Sequence, residues 1–331
     1  MLRLTLSVPR DLSGQVVDAL SDDAAVSSLA VLRDASVRPE GDVVIADVAR
    51  EATDGVVERL VDLGVHREGT LRVDEVETWV SQRGFDAERL APGSSADAVV
   101  WAEVTQQAYE DSELNWTYVS FMCLATIIAA IALLLDSQVL VIGAMVLGPE
   151  FGAVVALGVG LVRRRPMLLR RAVLTLFLGF ALAIVVTSAW ALVGEAVGWV
   201  TVEDFTRPRP DTSFVFSPDR WSIVVAVIAG AAGVLSLTSA RLGGLSGVFI
   251  SVTTVPAAGS LALSLTFGAW PEARGSALQL LVNITGMAVA GWATLLVQQV
   301  VWHRVAKRLR IKRAGAPPPG PSGARGRGHQ A

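Results

Sequence analysis

The hydrophobic rhythm of this chain changes near residue 116. Before that point apolar residues alternate or recur over short runs. LRLTLSV (2 to 8), VSSLAVLRDAS (26 to 36), GDVVIADVA (41 to 49) and GTLRVDEVETWV (69 to 80) read as strands. DLSGQVVDALSD (11 to 22) and EATDGVVERLVDLG (51 to 64) read as helices, the second with Val56, Val57, Leu60 and Leu63 on one face and Gly64 closing it. The order βαββαβ predicts an N-terminal α+β ferredoxin-like domain over 1–81, one antiparallel sheet covered by two helices. QRGFDAERLAPGSSAD (82 to 97) has the Pro, Gly and Ser content of a linker. Val100, Trp101, Val104 and Ala108 then fall at helical spacing, so 82–116 is read as a linker followed by an amphipathic connector helix at or near a membrane surface.

Beyond it, six stretches are apolar over spans long enough to cross a bilayer: 117–135, 139–162, 172–194, 221–240, 248–270 and 276–302. The expected fold class is therefore an α-helical membrane protein, with a six-span transmembrane domain over 117–302 and a basic, largely disordered tail over 303–331. Spans 2 and 5 contain the breaks Gly148-Pro149 and Pro256.

Charge orients these spans. Residues 1–116 hold 23 Asp and Glu against 10 Arg and no Lys, and the rest hold 8 acids against 18 bases. The bases gather in RRRPMLLRR (163–171) and HRVAKRLRIKR (303–313), which the positive-inside rule assigns to the cytoplasm. Six spans then put both termini in the cytoplasm, and put 136–138 and 195–220 outside. A basic excess in these places is what topology demands and implies no nucleic-acid partner. The opening MLRLTLSVPRDL lacks the pattern of a cleavable signal peptide.

Glu150 stands in the middle of the apolar run VLVIGAMVLGPEFGAVVALGVGLV (139–162), immediately after Gly148-Pro149. A carboxylate at that depth costs at least a few kcal/mol unless it is paired, protonated or facing a polar cavity. One reading is proton or cation coupling. The other is a structural acid, kept neutral by burial or bonded to a neighbouring helix.

An internal repeat widens the candidate site. Pro149 and Gly152 recur as Pro256 and Gly259, and Gly179 recurs as Gly286, each 107 residues later. Spans 1 to 3 thus match spans 4 to 6, and a three-span unit repeated in one chain enters the membrane upside down the second time. Gly148, Pro149, Glu150 and Gly152 in span 2, with Thr253, Thr254, Pro256 and Gly259 in span 5, form the candidate transport or binding site. Paired broken helices would offer backbone groups and helix ends to a ligand, whereas each alone reads equally well as a kink or a packing contact. Asn283, Gln279 and Thr285 on span 6, with Ser236, Thr238 and Ser239 on span 4, either line a polar route or bond between helices; of these Asn283 is taken as a site residue.

The runs SQVLVIGAMVLGPEFGAVVALGVGLV (137–162) and AGVLSLTSARLGGLSGVFISVTTVPAAGSLAL (232–263), together with Asn283, resemble the prokaryotic membrane family known as domain of unknown function 389. The resemblance covers about 98 to 302. It implies a multi-pass protein of the bacterial inner (cell) membrane, often with a small cytoplasmic head, and it supplies neither activity nor substrate. Glu150 departs from the commoner apolar residue after the proline and marks a GPEFG variant.

Cys123 is the only cysteine, and His66, His303 and His329 lack metal-ligand spacing, so neither a metal nor a cofactor is expected. No phosphate loop, nucleophile elbow or dinucleotide fingerprint is present, and no enzyme activity is expected. The expected function is that of a secondary transporter or channel-like protein for a small solute or ion. The alternative is a membrane-embedded signalling or scaffold protein whose head binds a ligand or partner. The expected partners are the lipid bilayer, the small solute or ion, and further copies of the chain in a homo-oligomer.

Overall fold

A computed structural model of the chain describes residues 1–76, 78–91, 99–238 and 253–314, with side chains through Val301. The head is a four-stranded antiparallel sheet in the order β2-β3-β1-β4, built from β1 (Leu2–Pro9), β2 (Val26–Val37), β3 (Glu40–Val48) and β4 (Thr70–Glu75). The alternation seen in the sequence sets its register: Leu6 pairs with Val44 and Leu4 with Ala46, so the apolar residues of both central strands share one face. That face is covered by α1 (Arg10–Ser21) and α2 (Arg50–Asp62), through Leu12, Val16 and Leu20 and through Val56 and Leu60. Each such side chain, once fully buried, contributes about 1.5–3 kcal/mol.

Two details of the head differ from expectation. Gly64 adopts a φ of +91°, which turns the chain into a short helix, α3 (Val65–Glu68), and the fourth strand ends at Glu75 rather than near 80. The expected linker opens with another helix, α4 (Gln82–Leu90), capped by the Ser81 hydroxyl, which accepts from Gly84 N at 3.1 Å. Its Pro, Gly and Ser residues, Pro92 to Ser95, lie outside the described residues.

The connector forms α5 (Trp101–Asp111). Instead of lying free at a surface, it packs on α8 and buries Val104 and Ala108 in the same core as the apolar helices. Those helices are α6 (Trp116–Leu134), α7 (Gln138–Leu147), α8 (Glu150–Val162), α9 (Pro166–Val197), α11 (Arg220–Thr238), α12 (Thr254–Thr266) and α13 (Trp270–Ala314), with the short α10 (Val202–Thr206) between α9 and α11. Among the described residues, α6, α9, α11 and α13 are long and apolar enough to cross a membrane; α7 and α8, bent by 54° at their junction, make a fifth crossing if taken as one span. Of the expected span 248–270 only α12 and its flanks are described, because 239–252, with Ser239, lie outside. α13 runs on through the basic segment to Ala314, where the expectation is a disordered tail from 303; no Gly or Pro falls between Gly291 and Gly315. Residues 315–331 lie outside the described residues.

Side-chain contacts sort the connections to two ends of the bundle. At one end the Asp136 carboxylate accepts from the Thr212 hydroxyl at 2.7 Å, and Gln138 donates to the Asp211 carbonyl at 3.0 Å. There too Arg209, paired with Glu272 at 2.5 Å, lies between the Phe205 and Phe216 rings. At the other end Glu113 pairs with Arg171 at 3.3 Å and the Arg163 guanidinium sits 5.4 Å over the Trp101 ring. The head joins this second end: Asp54 accepts from Trp101 N at 3.0 Å, and Arg50 pairs with Glu75 and Glu103.

Candidate functional site

Gly148 takes an extended conformation (φ −67°, ψ 124°) and Pro149 has no N–H to continue the ladder, so α7 ends and α8 begins at Glu150 on a new axis. α8 runs from this break toward the end that holds Arg163. α12 starts beside it at Thr254 and runs the opposite way, to Phe267, whose ring stacks on Phe205. Pro256 lies in the first turn of α12, where its missing N–H removes no helical bond.

The two helix starts are tied together. The Thr254 hydroxyl donates to Glu150 Oε1, and a Cβ on Gly148 would lie 2.7 Å from Val255 Cγ2. Glu150 is 7% exposed, and its Oε2 has no hydrogen-bond partner among the described residues. Immediately before α12, the Thr253 hydroxyl oxygen accepts from Gln279 Nε2 at 3.0 Å and from Asn283 Nδ2 at 3.1 Å, both reaching from α13 and both buried. With the Gln279 amide set this way, its Oε1 is buried without a donor. Leaving a buried polar group unpaired costs about 1–3 kcal/mol, and more for a charge, so both oxygens are strong acceptors for a further donor or cation.

Thr253, Gln279 and Asn283 floor a cavity of about 410 Å³. Gln138, Val141, Ile142 and Met145 of α7 form one wall. Trp221, Ser222 and Val225 of α11 form another, with Asp219 and Phe214 from the preceding loop. It lies toward the end of the bundle that carries Asp136 and Asp211.

Gly148, Pro149, Glu150, Thr253, Thr254 and Asn283 lie together around the two helix starts, with Pro256 in the first turn of α12. Gly152 and Gly259 turn elsewhere. A Cβ on Gly152 would lie 2.6 Å from Asp111 Cβ on α5, and one on Gly259 would lie 2.9 Å from Ala129 Cβ on α6, so both serve close helix packing. Thr285 is exposed and bonds back to its own helix, and Thr238 accepts from Gln298 at 2.9 Å. Gln279 belongs to the site although only Asn283 was selected from that helix. Its signal was a second amide one helical turn away in an apolar segment.

Residues 145–289 match the family model described as Domain of unknown function (DUF389). The chain thus carries a DUF389 domain. The matched segment is narrower than the resemblance read from sequence, but it holds both helix breaks, Glu150, Thr253, Thr254, Gln279 and Asn283. Searches of curated proteins and of solved structures gave no match. Among the described residues no group of three or more His, Cys, Asp or Glu side chains could hold a metal ion. The DUF389 domain and its apolar helices mark a membrane protein with an N-terminal α+β domain.

Proposed function

We propose that the DUF389 domain is a secondary transporter or channel-like conduit for a small solute or ion, working through the junction of α8 and α12. The observation that carries this is the buried Glu150 carboxylate, half-partnered, at the meeting point of two oppositely directed helix starts and behind the floor of a cavity. One hydroxyl bond is worth about 1.5–3 kcal/mol to a charge and each helix start about 0.3–2 kcal/mol, which offsets part of the burial cost and leaves Oε2 for a proton or a cation. The reading is one of transport rather than catalysis, in a multi-pass protein of the cell (inner) membrane with both termini cytoplasmic.

The inverted repeat belongs to this proposal, and packing supports it. α8 lies between α9 and α13, and α12 lies between α13 and α9. Gly259 of α12 packs on Thr126 and Ala129 of α6, while Phe151 of α8 packs on Gly233 of α11. Thr126 and Gly233 are 107 residues apart, as are Gly152 and Gly259. Gly179 meets Tyr118 of α6, and Gly286 meets Ala226 of α11. A half-turn that exchanged the two units would exchange contacts in this manner. The head's βαββαβ order and its β2-β3-β1-β4 antiparallel sheet likewise support the ferredoxin-like reading.

The test is a flux screen of ions and small metabolites in sealed proteoliposomes with the wild type and Glu150→Gln. Transport that disappears, or loses its pH dependence, in a folded Glu150→Gln protein supports the proposal. Absence of any flux moves the signalling or scaffold reading, with the head as the working part, to first place.

A further inference from the structure

We infer that the ligand of the junction is a small cation, an alkali ion or an organic ammonium, admitted through the cavity between α7, α11 and α13; this rests on the transport reading and names its cargo class. The inference starts from the kind of atoms left over. Of the unpartnered atoms at the junction, Glu150 Oε2 and Gln279 Oε1 are acceptors, and the Tyr118 hydroxyl, within electrostatic reach of Glu150, is a donor that can hold the carboxylate. One N–H of Gln279 Nε2 and one of Asn283 Nδ2 are spent on the Thr253 oxygen, and the Thr254 hydroxyl is spent on Glu150, which leaves fewer donors for an anion.

The opposing effect is the field of the two helix starts, which favours negative charge. Each amounts to about half a positive charge, so together they come to about one, and the Glu150 carboxylate in the first turn of α8 balances them. What remains to choose the ligand is the approach. Asp219 is the one charged side chain among the described residues that line the cavity, held at the start of α11 by Ser222 N at 2.8 Å. Over 136–138, 195–220 and 267–275, the segments at this end, seven acids face four arginines, and one of those, Arg209, is paired with Glu272 and enclosed by two rings. A mouth lined by one sign of charge concentrates the opposite ion. Trp221 and Phe214 line the cavity, and an aromatic face attracts an ammonium group.

The experiment measures thermal stabilisation of the full-length protein in nanodiscs, together with flux in proteoliposomes. Sodium chloride, methylammonium chloride and N-methylglucamine chloride are compared at constant ionic strength set with N-methylglucamine gluconate. The expected result is saturable stabilisation and flux with sodium or methylammonium, the stronger of the two fixing which kind of cation it is. Half-saturation should rise at least tenfold in Glu150→Gln. It should rise about two- to fivefold at low salt in Asp219→Asn, which keeps the helix cap and removes the charge. Should Glu150→Gln fail to fold, Asp219→Asn carries the test, because it lies at the mouth and away from the junction. A saturable response to chloride with all three salts, or no shift in Asp219→Asn, overturns the cation assignment. Flux of anions or neutral solutes without cation binding leaves the transport reading standing and removes this one; cation binding without flux does the reverse.

Discussion

Asp111 fills the space that a side chain on Gly152 would need: a Cβ there would come within 2.6 Å of Asp111 Cβ and 2.8 Å of its carboxylate oxygen. The last turn of the connector is thereby seated on the first turn of the helix that carries Glu150, with no room between them. Because the nearest atom is a Cβ and not a flexible tip, Gly152→Ala must push the α5 backbone away. Overpacking of this kind costs about 1–3 kcal/mol. The mutant should unfold at lower temperature and be cleaved faster by protease within α5 (Trp101–Asp111). Gly152→Ala combined with Asp111→Gly should recover most of the loss, and an unchanged single mutant would mean that α5 does not sit there.

Thr254→Val should separate the roles of the two oxygens of Glu150. It removes the hydroxyl that donates to Oε1 while keeping the shape of the side chain. A buried charge that loses its donor destabilises by about 1.5–3 kcal/mol, whereas Thr254→Ser should lose little. In the Glu150→Gln background the same change should cost much less, because the two residues act as one unit. Chemical denaturation of the four proteins measures the coupling; simple additivity would contradict it.

Much of this was legible in the sequence where one residue carries one signal. The alternation of Leu4, Leu6 and Val8 set the face of β1, and the Gly148-Pro149 pair marked the bend between α7 and α8. Asn283 stands out as an amide in an apolar helix, but nothing in the sequence pairs it with Thr253. Glycine signals two things at once. Gly152 and Gly259 fit either a broken-helix site or close packing from sequence, and the nearness of Asp111 and Ala129 gives the packing a partner. α4 was hidden because its cap, Ser81, follows the run read as the last strand and a glycine sits in its first turn.

The joint between head and connector should respond to pH through Asp54. Burial beneath the start of α5 pushes its carboxyl up to about 6, against the Trp101 N–H and the Arg163 charge, which favour the ionised form. A folded value raised above the ordinary carboxylate range, near 4, means that the neutral acid is preferred in the folded state. The stabilising contribution is thus complete below about pH 4 and is lost as pH rises through about 6. Thermal melts of the wild type should decline over this window, whereas Asp54→Asn, neutral throughout and still able to accept from Trp101, should give a flatter profile and the higher melting temperature at pH 7. A wild-type profile as flat as the mutant's would remove Asp54 as the cause.

The orientation of the bundle can be read with single cysteines in a Cys123→Ser background. The contacts put Asp211 at the end with Asp136 and Gln138, and Arg171 at the opposite end with Glu113, with apolar helices between them. The positive-inside rule, applied to the five arginines in 163–171, predicts that the second end, with the head joined to it, faces the cytoplasm. A membrane-impermeant maleimide should label Asp211→Cys in intact cells and should label Arg170→Cys and Arg67→Cys only after permeabilisation. The mirror pattern would turn the protein over while keeping its two ends, and would make the cavity beside Asp219 open to the cytoplasm. Labelling of Asp211→Cys and Arg170→Cys from the same side would separate neither end and would contradict a bundle that crosses the membrane between them. With the expected pattern, Trp221→Cys on the cavity wall should also react from outside, and saturating sodium or methylammonium should slow that reaction, because the ion and the reagent share one entrance.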